Sequence, residues 1–262
     1  MKITHSLLGI FLSLAYLPYS LAAPVTLRLA YSDIESYPFQ LGNGHKVFDP
    51  PGLALDAINQ AVSHLDIKVE FVRLPGKRVL EYIKEGKVDG GFIFSYNAQR
   101  ALYARYPMVG DKPDSSRRIA TLEYYFYKLE GEPFDWDGTS LVDSNDKVVG
   151  AHLGFSVIKE LKSKNIRVDE VRTTPQLLDM LCNNRISAIA IQDNMIKTLL
   201  ENKRWSNVEK VMPAIIKKDY YLVFSSQFVQ LKPDLAELIW NSIGETRNEV
   251  MSQSMGKYLN LE

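Results

Sequence analysis

Cysteine is almost absent from this chain, since Cys182 is the only one among 262 residues. An internal disulfide is therefore excluded, and a metal centre built from several cysteines is excluded with it. Cys182 lies in LLDMLCNNR, whose apolar residues recur three and four positions apart, as they do on one face of a helix. The pattern predicts a small core residue there rather than a reactive thiol.

Motifs of catalysis and cofactor binding are also missing. The four histidines, His5, His45, His64 and His152, form no pair at a spacing typical of metal ligands. The sequence contains no GxSxG elbow, no P-loop and no GxGxxG fingerprint. We therefore expect no cofactor, no metal and no enzymatic activity of a recognisable type.

A net charge is missing as well, because 31 basic residues balance 31 acidic ones. Nucleic acids and anionic membranes bind clustered basic surfaces, so neither is an expected partner. Hydrophobic residues make up 46% of the chain and charged residues 24%, which is typical of a soluble globular protein. The length allows two lobes of ordinary size or one large domain.

Only one apolar run stands out, LLGIFLSLAYL at positions 7–17, and it is too short to span a bilayer. Lys2 precedes it, and the small residues Ser20 and Ala22 follow at the positions that signal peptidase inspects. The sequence predicts a signal peptide over 1–22, with a retained membrane anchor as the alternative. The mature protein would then be exported, to the periplasm, with no membrane insertion after cleavage.

Strand and helix patterns alternate along the first part of the mature chain. Alternating apolar residues predict a strand at 25–32, followed by an amphipathic helix at 52–65 and a second strand at 68–74. A helix at 76–87 and a buried strand at 88–95 complete the block. This order predicts an α/β unit with a mostly parallel sheet and right-handed crossovers.

The same order returns later in the chain. The patterns predict strands at 146–154, 167–172 and 186–192, with helices at 155–165 and 175–184 between them. A second α/β lobe is therefore predicted. The aromatic stretch 117–131 would connect the lobes, and a strand at 219–225 and a helix at 232–259 would lead the chain back.

We accordingly predict a two-lobed α/β protein in which each lobe is a mostly parallel sheet flanked by helices. The first lobe would comprise residues 23–121 and 226–262, and the second lobe residues 122–225. The chain would cross near 120–128 and again near 222–228, which makes a two-stranded hinge.

Three segments together resemble the extracytoplasmic solute-binding proteins of family 3, the polar amino-acid type. EGKVDGG…NAQR…YP at 85–107 is similar to that family's G-(K/R)-x-D…T-x-E-R…F-S-x-P-Y. VVGAHLGFS at 148–156 is similar to its V-G-V-x-x-G-T/S turn, and LLDMLCNNRISAIAIQD at 177–193 to its L-x-x-G-R-V-D-A-V-V-x-D. The resemblance covers essentially the whole mature chain and implies the type II periplasmic-binding-protein fold.

The resemblance also implies a function. Such a protein captures a small polar, carboxylate-bearing ligand by closing a hinge and presents it to an ABC permease or a membrane sensor, and we expect a monomer. The chain departs from the family pattern at Asn97, where threonine is common, and at Ser187, where aspartate is usual. The ligand of this divergent member therefore need not be an ordinary amino acid.

Candidate ligand-binding residues follow from the sheet and from the resemblance. Ligands of open α/β sheets bind outside the carboxyl ends of the strands, which brings Ser95, Tyr96 and Asn97 to the cleft. The family holds a ligand carboxylate with an arginine at the position of Arg100, whose planar fork can donate two parallel hydrogen bonds. The alternative for Arg100 is a surface arginine on a helix face.

The second lobe should contribute a turn and a polar acceptor. Gly154, Phe155 and Ser156 lie where a strand leads into a helix, so free backbone N–H groups and the helix dipole are expected to face an anion. Ser156 could instead be a plain helix cap. At the end of the strand at 186–192, either Gln192 or Asp193 would accept a hydrogen bond from a ligand ammonium.

The first lobe offers three further candidates. Asp33 and Tyr37 lie in the loop after the first strand, where Tyr37 resembles an aromatic wall of the family, with a core-lining aromatic as the alternative. Arg78 follows the second strand and is a candidate second contact for an anion.

Two other functions share these features. A stand-alone periplasmic sensor or interaction protein would have the same sequence pattern. A cyclohexadienyl-dehydratase-like enzyme would need a cleft carboxylic acid, for which Asp33, Glu35 and Asp193 are the candidates, with a pKa raised toward neutrality.

Overall fold

The computed structural model describes residues 25–142, 146–201 and 203–259. The predicted signal peptide at 1–22 lies outside these ranges. Within them the strands are β1 Val25–Ser32, β2 Ile67–Leu74, β3 Gly90–Ser95, β4 Ala104–Arg105, β5 Met108–Val109, β6 Lys112–Pro113, β7 Ala120–Leu129, β8 Asp135–Trp136, β9 Leu141–Val142, β10 Val148–His152, β11 Arg167–Val171, β12 Ala188–Gln192 and β13 Val208–Ser225. The helices are α1 Leu53–Val62, α2 Gly76–Lys84, α3 Val157–Ser163, α4 Thr174–Cys182, α5 Asp193–Leu200, α6 Ser226–Leu231 and α7 Pro233–Leu259.

One continuous sheet runs through both lobes, in the order β11-β10-β12-β7-β13-β3-β1-β2, with β4 paired to β13. In the first lobe β1 pairs in parallel with β2 and β3, and in the second lobe β10 pairs in parallel with β11 and β12. The antiparallel strands β7 and β13 join the two parallel groups. The predicted two-lobed α/β fold with a two-stranded hinge is confirmed.

Strand β13 belongs to both lobes. Its first part pairs with β7, the pairing is irregular between Val211 and Ile216, and pairing with β7 then continues to Tyr220. Tyr220 to Phe224 pair with β3 of the first lobe, although the sequence analysis assigns residues 122–225 to the second lobe. We therefore propose that the second crossing lies near 216–220 rather than near 222–228.

The long helix α7 returns the chain to the first lobe, as the predicted helix at 232–259 requires. The Ser242 hydroxyl donates to the Ala61 carbonyl of α1 at 2.8 Å, and the indole N–H of Trp240 donates to the Leu222 carbonyl at 2.9 Å. Apolar residues Ala236, Ile239 and Ile243 are fully buried on the same helix. No helix of the described part of the chain combines the length and apolar character that a bilayer crossing requires.

Most predicted elements are present, with shifted ends. The predicted helix at 76–87 ends at Lys84, because Gly86 adopts a φ of 68° that turns the chain toward β3. The predicted strand at 219–225 is the end of the much longer β13, and helix α5 has no counterpart among the predictions. Cys182 is only half-buried at the end of α4, where it packs against the second-lobe core.

His152 is a buried histidine at the end of β10, and it is 1% exposed. Its Nε2 atom lies 3.2 Å from the Thr174 hydroxyl, while Nδ1 has no hydrogen-bond partner among the described residues. Burial disfavours the charged ring and lowers the pKa of His152 to about 4.

This histidine makes folding sensitive to mild acid. Between pH 6.5 and 4 the unfolded chain binds a proton at His152 that the folded chain excludes, so the free energy of unfolding falls as pH falls. We expect a loss of about 2 kcal/mol between pH 7 and pH 5 that His152→Gln abolishes. Urea unfolding at both pH values measures the difference.

His64→Gln is the matched control, because that ring is exposed on the first lobe and is hydrated in folded and unfolded chains alike. An equal pH dependence in wild type and His152→Gln would contradict a buried neutral ring at this position.

Candidate functional site

A cavity of about 130 Å³ lies between the two lobes. The carboxyl ends of strands from both lobes reach it: Ser32 ends β1, Ser95 ends β3, Leu153 follows β10 and Gln192 ends β12. The parallel strands of both lobes direct their carboxyl ends into one crevice, as the topology of open α/β sheets requires. The predicted site residues that line this cavity are Ser95, Arg100, Gly154, Phe155, Ser156 and Gln192.

Arg100 is held on the first lobe by its own neighbourhood. Asn97 accepts from the Arg100 backbone N–H at 3.0 Å and fixes the turn after β3. The Nη1 atom donates to the Ser95 carbonyl at 2.8 Å and lies 3.3 Å from the Tyr106 hydroxyl, and the guanidinium carbon is 4.9 Å from the centre of the Phe94 ring. These hydrogen bonds use one nitrogen, so Nε and Nη2 have no protein partner among the described residues.

Hydroxyl groups of the two lobes meet beside Arg100. The Ser95 hydroxyl lies 3.2 Å from the hydroxyl of Ser156, which precedes α3. The Lys218 ammonium of β13 lies 3.4 Å from both the hydroxyl and the carbonyl oxygen of Ser156. Burial lowers the pKa of Lys218, and the nearby Arg100 charge acts in the same direction. Two cations and two hydroxyls thus surround one end of the cavity.

The turn before α3 differs from the prediction. Its N–H groups were expected to be free, yet the Gly154 N–H donates to the Glu170 carboxylate at 3.4 Å and the Phe155 N–H to the His152 carbonyl at 3.1 Å. The Ser156 side chain makes no capping hydrogen bond, since it faces Ser95 instead. The turn therefore contributes the Ser156 hydroxyl and the Phe155 ring to the cavity, and no free N–H of Gly154 or Phe155.

The floor of the cavity is a buried polar cluster at the lobe crossing. The Gln192 amide Nε2 donates to the hydroxyls of Tyr124 at 3.1 Å and Tyr220 at 2.8 Å, and these hydroxyls lie 3.2 Å apart. The Ser36 hydroxyl reaches Gln192 Oε1 at 3.5 Å from the first lobe. Burial raises the pKa of Tyr124 and of Tyr220, so both phenols are neutral.

Of the two alternatives at the end of β12, the structure brings Gln192 into the cavity and leaves Asp193 outside it. The Asp193 carboxylate accepts from the Tyr127 hydroxyl at 2.5 Å and pairs with Lys210. Burial opposes its ionisation, but these donors outweigh burial and lower the pKa of Asp193. Alternation along the strand explains the result, because successive side chains point to opposite faces.

Apolar side chains form the remaining wall. Phe92, Ile93 and Phe94 of β3 line the cavity, and Leu80 of α2 and Phe155 lie around them. Ile93 has a φ of 60°, a left-handed conformation that costs a β-branched residue about 1 to 3 kcal/mol. It coincides with the irregular pairing of β3 with β13, where an extra residue in β3 redirects the side chains.

The other predicted site residues do not line the cavity. Tyr96 is 37% exposed and packs edge-to-face on Tyr106, while Asn97 supports the Arg100 turn. The Tyr37 hydroxyl donates to the Tyr258 carbonyl at 2.5 Å on the first lobe, and Tyr37 is partly buried. Asp33 lies near the buried Arg73, and Arg78 is exposed on α2.

Several cavity residues escaped the sequence analysis, namely Ser36, Lys77, Tyr124 and Tyr220. Ser36 is adjacent to the predicted Tyr37, and Lys77 is adjacent to the predicted Arg78. The two tyrosines belong to the aromatic stretches at 117–131 and 219–225, which sequence patterns assigned to the crossing and not to the cleft.

The lobes also touch beside the cavity. The Asn194 amide of α5 donates to the Ser36 hydroxyl at 3.0 Å and to the Tyr37 carbonyl at 2.8 Å. Together with the contacts of Ser95 with Ser156 and of Ser36 with Gln192, these hydrogen bonds hold the lobes closed over the cavity.

No family model matches the sequence, and no curated protein matches it. Solved structures do resemble the fold. The GluR0 ligand-binding core from Nostoc punctiforme in complex with L-glutamate is 18% identical, with a TM-score of 0.68, and the match covers 89% of this chain and 99% of that one.

Two further structures match over similar lengths. An ancestral arginine-binding protein bound to glutamine is 15% identical, with a TM-score of 0.68, 89% of this chain and 97% of that one being covered. A histidine kinase sensor domain with similarity to periplasmic binding proteins is 14% identical, with a TM-score of 0.70 and coverages of 90% and 96%. The chain therefore has the two-lobed fold that these binding and sensor domains share.

Proposed function

We propose that this chain is a divergent member of the family 3 solute-binding proteins, which binds a small carboxylate-bearing ligand between its lobes by hinge closure. The observation that carries the proposal is the Arg100 guanidinium, whose Nε and Nη2 have no protein partner among the described residues, and which lines the same cavity as the Ser156 hydroxyl of the opposite lobe. The proposed location is the periplasm, and the proposed partner is an ABC importer.

The charges favour an anion at this end of the cavity. Among the described residues no carboxylate lies within ion-pair distance of Arg100, Lys77 or Lys218. A partly buried cation without a counter-ion is costly, so an incoming carboxylate gains the Coulomb attraction and charge-assisted hydrogen bonds together. Arginine suits this task because its fork can donate two parallel hydrogen bonds to one carboxylate.

The arrangement of the lobes favours closure as the binding step. Ser95 and Arg100 come from the first lobe, and Ser156 and Gln192 come from the second. Within the described ranges, β7 and β13 are the strands that join the lobes through the sheet. A ligand that contacts both surfaces binds the closed form better than the open one, and this difference in affinity shifts the population toward closure.

A sensor role is the second candidate, and a specific observation supports it. One of the similar structures is a histidine kinase sensor domain, and another is a VFT2 domain of BvgS from Bordetella pertussis, which is 12% identical with a TM-score of 0.63. The same closure would then be transmitted to a membrane partner instead of a permease.

The dehydratase alternative is not supported by the geometry. Such chemistry needs a carboxylic acid in the cleft, and Asp33, Glu35 and Asp193 all lie outside the cavity lining. Asp193 also has a lowered pKa, opposite to the shift that a general acid at neutral pH requires.

Arg100→Ala should remove most of the affinity for a carboxylate. Hydrogen bonds to a charged partner contribute about 1.5 to 3 kcal/mol each, so we expect a loss of at least about 100-fold. The measurement is titration calorimetry with the tightest binder from a thermal-shift panel of amino acids, 2-oxo acids and dicarboxylates. The unliganded protein should unfold within about 2 °C of wild type, because Tyr106 still donates to the Ser95 carbonyl.

Arg105→Ala is the matched control, since Arg105 lies on β4, five residues after Arg100, and its side chain is exposed. Unchanged affinity in Arg100→Ala would remove the guanidinium from the binding site and leave the proposal without its central contact.

A reversible crosslink tests hinge closure directly. The hydroxyls of Ser95 and Ser156 lie 3.2 Å apart on opposite lobes, so cysteines at both positions, with Cys182→Ser, can form a disulfide after a small shift. We expect oxidation to slow ligand association at least about 10-fold in stopped-flow fluorescence, because the ligand must enter an open cleft, and reduction should restore the rate.

The two single-cysteine variants control for the substitutions themselves. Equal association rates in the oxidised and reduced double variant would show that the ligand enters without separation of the lobes.

A further inference from the structure

The charged side chains that line the cavity are all cationic. They are Arg100 and Lys77, and Lys218 stands behind Ser156 within 3.4 Å of its hydroxyl. No aspartate or glutamate contributes to the lining among the residues that the structure describes. An amino acid carries an ammonium next to its carboxylate, and the ammonium needs an acceptor of opposite charge when water is excluded.

The carboxylates nearest to the cleft are committed elsewhere. Glu35 accepts from the Gly42 N–H, and its charge, like that of Asp33, acts on the buried Arg73. Asp193 is held by Tyr127 and Lys210 on the outer side of β12. Neither Glu35 nor Asp193 can turn toward the cavity without leaving a partly buried donor unpaired, and Asp33 does not line the cavity.

Two carboxylates remain near the rim of the second lobe. Glu160 pairs with Lys164 at 3.6 Å, and its charge also acts on Lys218. Glu170 is the other. It pairs with Lys162 at 3.1 Å and accepts from the Gly154 N–H at 3.4 Å, so its charge is shared with an exposed lysine. Glu170 does not line the cavity. The rim therefore supplies no free carboxylate for an ammonium inside.

Gln192 stands where an acceptor for the ammonium was predicted, and it is neutral. Its Nε2 hydrogens go to Tyr124 and Tyr220, and its Oε1 atom accepts from Ser36. An amide oxygen that already accepts one hydrogen bond offers an ammonium a dipole but no opposite charge. At the floor of a closed cavity this difference is large, because water cannot complete the solvation.

Size and surface limit the rest of the ligand. A cavity of about 130 Å³ is close to the ~150 Å³ that accommodates benzene in another protein, so the closed form holds a ligand of roughly six to nine heavy atoms. The lining also includes the apolar side chains of Leu80, Phe92, Phe94, Leu153 and Phe155. Such walls favour a short apolar tail.

We propose that the cavity selects a small carboxylate that has no α-ammonium group, such as a 2-oxo acid with a short apolar tail, over the amino acid of the same skeleton. The inference rests on the proposed function of a carboxylate site at Arg100, and it names the chemical class of the ligand. The 2-oxo oxygen can accept from the hydroxyls of Ser95 and Ser156, whereas an ammonium in the same place would face cations.

The test compares matched pairs of ligands. Titration calorimetry is carried out with pyruvate against L-alanine, 3-methyl-2-oxobutanoate against L-valine, and 4-methyl-2-oxopentanoate against L-leucine. We expect at least one 2-oxo acid to bind, and its amino-acid partner to bind at least 10-fold more weakly. The same 2-oxo acid should lose its affinity in Arg100→Ala.

Gln192→Glu supplies the missing negative charge at a position that can stabilise it, because Ser36, Tyr124 and Tyr220 hydroxyls can all donate to it. In this variant the preference for the 2-oxo acid over its amino acid should fall at least 10-fold. Gln227→Glu adds the same charge on the exposed face of α6 and should leave the preference unchanged. Unfolding curves verify that both variants are folded.

The outcomes separate the two proposals. If an amino acid binds as tightly as its 2-oxo partner or more tightly, and Arg100→Ala abolishes that binding, the inference fails and the proposed function stands. If no carboxylate of any pair binds, or binding is unaffected by Arg100→Ala, the carboxylate site itself is overturned.

Discussion

The cleft depends on the hydrogen bonds that join Tyr124, Tyr220 and Gln192 where the two lobes meet. Each residue lies on a different strand, β7, β13 and β12, and each is almost fully buried. Three buried polar groups are tolerable only because they satisfy one another. They fix the part of the cavity that lies at the crossing. A rotation of the lobes about β7 and β13 therefore displaces this part less than the residues farther from these strands.

The Arg100 guanidinium is held in a fixed orientation on the first lobe. The Ser95 carbonyl accepts hydrogen bonds from both Arg100 and the buried Tyr106, which orients the guanidinium without neutralising it. Burial raises the pKa of Tyr106 to about 12, so its hydroxyl is a permanent donor. Under the proposed function, the arginine would therefore lose little conformational entropy on binding a carboxylate, which is the advantage of a preorganised contact.

The periodicity of apolar residues predicted the helices and strands whose formation depends on nearby residues. The alternation at 25–32 and the helical spacing at 52–65 gave β1 and α1, because burial of one face imposes those periods. The rule that ligands bind at carboxyl ends of strands then brought Ser95 and Gln192 to the cleft. Ser36 and Lys77 also line it, one residue from Glu35 and from Arg78, because a loop or a helix start has no simple period to orient its side chains.

Long-range pairing was outside the reach of these patterns. Tyr124 and Tyr220 are 96 residues apart, and they meet because β7 and β13 pair antiparallel. Likewise the positions of Lys218 and Glu170 depend on which strand edge lies beside Ser156 and Gly154. A single sequence carries no signal for such partners, since any strand of suitable period could have filled the same place.

The hydrogen-bond partners of the turn before α3 determine which lobe can attract an anion. Had the N–H groups of Gly154 and Phe155 been free, the second lobe would have carried its own anion contact, and either lobe could have bound a carboxylate first. Glu170 and the His152 carbonyl occupy those two N–H groups, and α3 has only seven residues to add its dipole. The charged groups that attract an anion are therefore on the first lobe and on β13. The second lobe offers the Ser156 hydroxyl, the Gln192 amide, the ring of Phe155 and the Ser156 N–H, which has no acceptor among the described residues. Under the proposed function, a carboxylate would bind Arg100 in the open form first. Closure of the second lobe would then exclude water from this contact and strengthen its electrostatic interaction.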